Sequence, residues 1–381
     1  MKILIINANM TTGGLETSLL NFIHQLKADH EIDLFLLNHQ GKLMQALPND
    51  ICVLPEEKTL KKFGQIRTNV QRNFVKRVVV KTLKAVGVKD WLISRDIKSL
   101  NDMQIEPFVK DYDLAINFNA YNHICNELLI NNVCAKHKMA IVHNDVYVLP
   151  FSKLIVRQLS KIDYCLGCSK SCAQHIWQKY PKLSNVDYLY NFQDTQKFID
   201  LADQECDINP KKRYKFVCVG RLAKQKSPMR LLKVVNKLNR EFENFDIYFL
   251  GEGELYDSAK QYVAKHKLEN VHLLGNQSNP YKFIKKADML ILASRFEAAP
   301  MVYAEAMTLG VPVLTTRTCS ADELVGNLGL VCDNNRKAIH SAIKSVLNGS
   351  FNLEQKKQNL KDYRWDNQAI KQKLYILTKD K

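Results

Sequence analysis

Short apolar runs that end in polar residues alternate along this chain with stretches whose apolar positions recur every three or four residues. Residues 2–8 read as a buried strand. Asn9 to Gly14 form a polar Gly-Gly turn, and Leu15, Leu19, Leu20, Ile23 and Leu26 give helical spacing over 15–26. A second strand follows at 32–37, with further short runs at 114–118, 139–143, 164–169 and 186–190. The same grammar restarts in the second half. Strands are expected at 214–220, 245–250, 271–274, 287–292 and 311–315, helices at 228–242, 254–266 and 300–309, and only helices from 338 onward. This alternation is the signature of parallel sheets covered by helices. Residues 193–212, polar and charged and containing Asp207 and Pro210, read as a linker. The pattern therefore predicts two similar doubly wound α/β domains, 1–192 and 213–365, facing one another, with a closing helix at 366–381 packing back on the first. Ligands of such sheets lie at the carboxyl ends of the strands, here in a cleft between the domains.

Composition narrows the class. The 381 residues, 46% of them apolar, suffice for two cores. Ile3 to Ile6 is too short for the apolar region of a signal peptide, and no run reaches transmembrane length. The ten cysteines are then expected to be reduced thiols of a cytoplasmic protein. Cys165, Cys168 and Cys172 make a C-x-x-C-x-x-x-C run, but no second pair follows at zinc spacing, so structural thiols are expected. Asp111-Tyr112-Asp113 mimics a metal-binding D-x-D, yet it precedes the strand at 114–118 in the first half of the chain, and no metal site is assigned.

Net charge is +16, and twelve basic residues between Lys58 and Lys98 face only Asp90 and Asp96. Phe63, Ile66, Val70 and Phe74 fall at loosely helical spacing there, as in a basic amphipathic stretch lying on anionic lipid. A solvated helical face is the plainer reading. Nucleic acid is not expected as a partner, because no recognised binding module accompanies the charge.

Candidate chemistry gathers at the strand ends. After the strand at 214–220, Gly220 permits close backbone approach, Arg221 offers a fork of donors and Lys226 a mobile charge, a set suited to a diphosphate, although two solvated cations would look the same. Gly13 and Gly14 open a helix whose N–H groups could meet a phosphate or sugar. Glu297 precedes a helix expected to start at Pro300, and Glu305 lies inside it, so one element could present two carboxylates to one polyhydroxylated ligand. Taken singly, each is an ordinary exposed acid. His143 closes the run A-I-V, at a strand end.

The ordered set G-G-L-E, V-G-R-L-x-x-x-K, G-E-G-E-L, V-H-L-L-G and A-S-R-F-E-A-A-P-M-V-Y-A-E-A-M resembles the glycosyltransferases of family 4, which have the GT-B fold. The resemblance spans essentially the whole chain and is strongest from Tyr214 to Leu324. It implies retaining transfer of a sugar from a nucleotide donor, usually a UDP-sugar, with no essential metal or other cofactor. On the matching positions, Arg221 and Lys226 would bind the diphosphate, Glu297 the donor sugar's hydroxyls and Glu305 the ribose. Backbone N–H groups of Ala298, Ala299 and Met301 would lie near the sugar, and Gly275 and Asn276 near the base. Gly13 and Gly14 match the family's early glycines, and His143 matches a family histidine beside the reacting sugar. One departure stands out: where relatives commonly carry Gly or Ser and then an aromatic or Leu, this chain has Ala298 and Ala299. A positive φ there would strain Ala298, so donor-sugar preference does not carry over.

The resulting expectation is a glycosyltransferase whose acceptor is a saccharide or lipid-linked saccharide of cell-surface polysaccharide such as capsule, acting peripherally on the inner face of the cell membrane. Arg221 and Lys226 would stabilise charge on the departing diphosphate, with the leaving phosphate accepting the acceptor's proton. Rival readings are a sugar-nucleotide epimerase of the same fold and a non-enzymatic basic membrane-binding protein.

Overall fold

A computed structural model describes residues 1–57, 108, 110–206, 208 and 213–379. The basic segment at 58–98, and with it the membrane expectation, lies outside the described residues. The chain divides into two compact units, Met1–Phe192 with Asn367–Lys381, and Gln193–Asp366.

In the first unit, β1 (Lys2–Asn7), β2 (Glu31–Leu36), β3 (Cys52–Val53), β4 (Asp111–Asn117), β5 (Cys134–Val142), β6 (Tyr164–Gly167) and β7 (Val186–Tyr188) form one sheet in the order β3-β2-β1-β4-β5-β6-β7. Every described pairing is parallel, Ile5 of β1 facing both Leu34 of β2 and Ile116 of β4. Helices cover both faces because the strands are apolar on both sides: Ile3, Leu4, Ile5 and Ile6 are all fully buried. Helix Asn367–Leu377 belongs to this unit, tied by Lys371 to Asp29 at 2.9 Å and by Lys373 to Asp187 at 2.7 Å.

The second unit has β8 (Tyr214–Val219), β9 (Phe245–Leu250), β10 (Val271–Gly275), β11 (Met289–Leu292), β12 (Val313–Thr316) and β13 (Leu330–Cys332), ordered β10-β9-β8-β11-β12-β13 and again parallel. This is a doubly wound order with its switch point between β8 and β11, where successive connections leave to opposite sides and open a crevice at the carboxyl ends.

Several expectations change. Residues 195–202, read as linker, form helix Thr195–Ala202 of the second unit, capped by the Asp194 side chain and held by Phe198, which is 2% exposed and lies 4.9 Å from the Tyr281 ring. Burying one such aromatic outweighs the polar composition around it. The helix expected from Pro300 runs Met301–Thr308 instead: Pro300, at ψ 125°, is its extended N-cap. Helix Pro228–Leu238 stops short of the expected 242, and helices His123–Asn131, Lys153–Leu159, Lys170–Lys179 and Tyr281–Lys286 were not anticipated. Asp111 and Asp113 do not precede a strand but lie on β4, where Asp113 pairs with Lys136 at 2.8 Å and accepts from the Lys2 backbone N–H. Among the described residues, no helix is long and apolar enough to cross a membrane.

Candidate functional site

The switch point of the second unit is where its candidate residues gather. β8 is followed by Gly220, and the loop to Ser227 carries Arg221 and Lys226; β11 leads into the loop from Ala293 to Ala299, which carries Glu297. Gly220 and Gly251 make the neighbouring strand ends compatible. Gly251, at φ +137°, would place a Cβ 2.3 Å from the Gly220 carbonyl oxygen, so only glycine allows this approach. Gly220, at φ +139°, faces the Lys226 side chain, whose Cε would lie 3.3 Å from an added Cβ.

Lys226 Nζ stands 2.7 Å from Glu297 Oε1, although the approach is not aligned as a hydrogen bond. The Glu297 side chain is 8% exposed and that of Lys226 25%. An acid this buried needs a counter-charge or a donor, and Lys226 supplies the first. Gln225 Nε2 supplies the second at 3.4 Å from Oε2, and it also donates to the Phe296 carbonyl at 3.1 Å. Arg221 is exposed, and among the described residues its guanidinium has no ion-pair or hydrogen-bond partner. A small cavity lined by Val219, Gly220, Arg221, Leu222, Lys226 and Pro228 opens beside these cations.

Glu305 keeps a partly exposed surface, yet protein surrounds its carboxyl closely enough that burial pushes it up to about 7, with Lys226 and Lys197 pulling the other way. The opposing pull of Lys226 ties Glu305 electrostatically to the same cluster. Ala298 does not adopt a left-handed conformation: among the described residues only Ser227 and Lys267 do so without being glycine. The strain foreseen at Ala298 is absent. Its carbonyl accepts from the Ser320 hydroxyl, and the Ser294 carbonyl accepts from Thr316 Oγ1 at 2.5 Å, which fixes the loop before Met301. Asn276, following Gly275 at the end of β10, is tied to Glu252: its Oδ1 accepts from the Glu252 N–H at 3.2 Å and its Nδ2 donates to Oε2 at 3.1 Å.

The other predicted residues belong to the first unit. Gly13 and Gly14 are exposed at the start of helix Gly14–Leu26. The Glu16 carboxylate folds over Gly13, 2.6 Å from where a Cβ on it would be, and accepts from Thr11 Oγ1 at 3.3 Å. A carboxylate at that helix start opposes the binding of a phosphate there. His143 follows β5, its ring 5.1 Å from that of Phe118, with no described hydrogen-bond partner at Nε2. Burial pushes its pKa down to about 4, so the ring is neutral near pH 7. Of the cysteine run, Cys165, Cys168 and Cys172 are buried free thiols.

Three residues of the second unit carry no signal in the sequence. Arg230 Nη2 donates to the Ala293 carbonyl at 2.6 Å and the Ser294 carbonyl at 2.9 Å, Arg295 Nε donates to Ser227 Oγ at 3.1 Å, and Gln225 binds as above. All are polar residues joining loops distant in sequence, and nothing in local spacing distinguishes them from solvated side chains.

Residues 203–364 match the family described as Glycosyl transferases group 1. Among curated relatives, the N-acetylgalactosamine-N,N'-diacetylbacillosaminyl-diphospho-undecaprenol 4-alpha-N-acetylgalactosaminyltransferase of Campylobacter jejuni is 29% identical over 227 residues, 58% of this chain and 60% of that protein. The O-antigen biosynthesis glycosyltransferase WbnH of Escherichia coli is 29% identical over 147 residues, 39% of this chain and 41% of its own. The chain thus spans well under two thirds of the length of these relatives. Among solved structures, Anabaena HepE in complex with UDP superposes with a TM-score of 0.69 at 15% identity, over 99% of both chains, a likeness of fold. Residues 203–364 are thus similar to the group 1 glycosyl transferases, and the two parallel doubly wound sheets of this order are those of the GT-B fold.

Proposed function

We propose that the chain is a retaining glycosyltransferase that moves a sugar from a UDP-sugar to a saccharide or lipid-linked saccharide acceptor during cell-surface polysaccharide biosynthesis, with no essential metal. The observation that carries this reading is the pairing of Lys226 with Glu297 at 2.7 Å beside the unpaired Arg221, at the switch point of the second unit. In the resting protein Lys226 neutralises Glu297. A donor diphosphate draws Lys226 and Arg221 to its oxygens, and Glu297 then accepts hydrogen bonds from the sugar's hydroxyls. Glu305 accepts from the ribose, and the Asn276 loop borders the base.

In the transfer, the bond from the anomeric carbon to the diphosphate oxygen breaks, and a bond to the acceptor oxygen forms on the same face. The acceptor's proton passes to the departing phosphate. The two cations stabilise the charge that grows there, work a metal ion does in other enzymes. The UDP preference is supported by the bound ligand of the HepE structure, and the lipid-linked acceptor by the undecaprenol named for the Campylobacter relative. Peripheral placement on the inner membrane face rests on the basic sequence at 58–98.

The test is a panel of UDP-sugars assayed for slow UDP release without acceptor, repeated with Glu305→Ala. One sugar releasing UDP, with release weakened in the variant through a raised KM, supports the reading. A converted UDP-sugar accumulating with no acceptor would make the chain an epimerase instead.

A further inference from the structure

We infer that Gln225 is a positioning residue: it keeps Glu297 aimed at the donor sugar once Lys226 has turned to the diphosphate. This deepens the proposed function and rests on it.

The loops after β8 and β11 are joined as one block. Arg295 N–H donates to the Gln225 carbonyl at 2.8 Å, and the Gln225 side chain donates in return to the Phe296 carbonyl at 3.1 Å. Arg295 Nε reaches Ser227 Oγ at 3.1 Å, and Ser227 donates to the Lys224 carbonyl at 3.1 Å. Ser227 is 4% exposed and left-handed, at φ +53°, a strained conformation that persists only where surroundings enforce it. Arg230 ties the start of the second loop to the first helix turn through the Ala293 and Ser294 carbonyls.

Among the described residues of this block, Gln225 is the neutral side chain that donates a hydrogen bond to Glu297. A diphosphate would compete with Glu297 for the Lys226 ammonium, a single mobile charge that holds the acid less firmly once drawn to phosphate oxygens. When it moves, Glu297 loses its counter-charge while remaining buried. The Gln225 amide, fixed by Phe296, still donates to Oε2 and restrains the rotation of the carboxyl. Its 3.4 Å separation leaves room to shorten as the acid becomes more electron-rich. Gln225 therefore acts on the sugar end of the donor through Glu297 and leaves the diphosphate end to Arg221 and Lys226.

The test separates those two ends. Wild type, Gln225→Leu and Gln225→Asn are titrated with UDP alone and assayed for UDP release from the UDP-sugar that the wild type accepts, with thermal unfolding of each. We expect UDP affinity within about 2-fold of wild type in both variants. Release from the UDP-sugar should fall about 10-fold in kcat for Gln225→Leu, consistent with one lost hydrogen bond to a charged group. Partial recovery is expected in Gln225→Asn, which keeps the donor on a shorter arm. Unchanged kcat in Gln225→Leu, or a loss of UDP affinity equal to the loss in kcat, would overturn the role, the latter by making Gln225 part of the diphosphate loop's framework. If wild type itself binds no UDP and releases none, the proposed function fails first, and that result is read from the wild type alone.

Discussion

Lys226 Nζ lies 2.7 Å from Glu297 Oε1, joining the loop after β8 to the loop after β11 with a charge pair of which the acid is almost wholly enclosed. Removing either charge leaves the other at a site built for two. Lys226→Ala strands a buried carboxylate and should cost about 1–3 kcal/mol of stability. Glu297→Gln leaves an amide beside an ammonium that is a quarter exposed and can turn to water, and should cost less. Urea unfolding of the two variants gives the comparison; equal costs would mean that the pair is solvated in practice.

Glu305 carries a pH dependence with a defined sign. Its carboxyl is pushed up to about 7 in the folded protein, so its contribution to stability is complete below the ordinary carboxylate range and is lost as pH rises through about 7. Glu305→Gln cannot ionise. The variant should therefore gain on the wild type, on the order of 3 kcal/mol, between pH 4.5 and pH 8.5. Thermal or urea unfolding at the two pH values checks this, and parallel stability profiles would contradict it.

His143 titrates in the opposite sense. With its pKa pushed down to about 4 by burial, folding favours the neutral ring. Stability should rise as pH climbs from about 4 to about 6.5 and owe nothing further to this ring above that. Histidine NMR should show one ring still neutral at pH 5.5. In transfer assays His143→Ala should lower turnover without altering the pH profile above pH 6, because the ring offers a neutral Nε2 and no proton charge there.

Gly251→Ala should disable the site through the backbone alone. The added methyl would meet the Gly220 carbonyl at 2.3 Å and a φ of +137° that alanine avoids. A loss of about 3 kcal/mol or more is expected, with nucleotide affinity falling as the loop from Gly220 is displaced. Unchanged melting and UDP titration would show that the strand ends have slack.

Much of this is legible in the sequence. The fully apolar runs at 3–6 and 245–250 can only be buried strands, and glycines after strands at 220, 251 and 275 mark the ends where backbones approach. Arg221, Lys226, Glu297 and Glu305 were found from type and spacing, and they fall in one unit at one switch point. The failures share a cause. Phe198 turns a polar stretch into a helix by packing on Tyr281, and Gln225, Arg230 and Arg295 become structural by bonding to residues scores of positions away. Such contacts exist only once the sheet has assembled. Pro300 misled by one position, since a proline serves as well for an extended N-cap as for a first helical residue.

The central claim is that Arg221 and Lys226 stabilise a departing diphosphate. It is tested most directly by the kcat for UDP release from the accepted UDP-sugar in Arg221→Ala and Lys226→Ala, each monitored by thermal unfolding. Both should fall about 100-fold or more, as for removal of a single preorganised donor from a transition state. Arg221→Ala, exposed and unpaired, should melt as the wild type does. Near-normal release by both variants, with their folds intact, would contradict it.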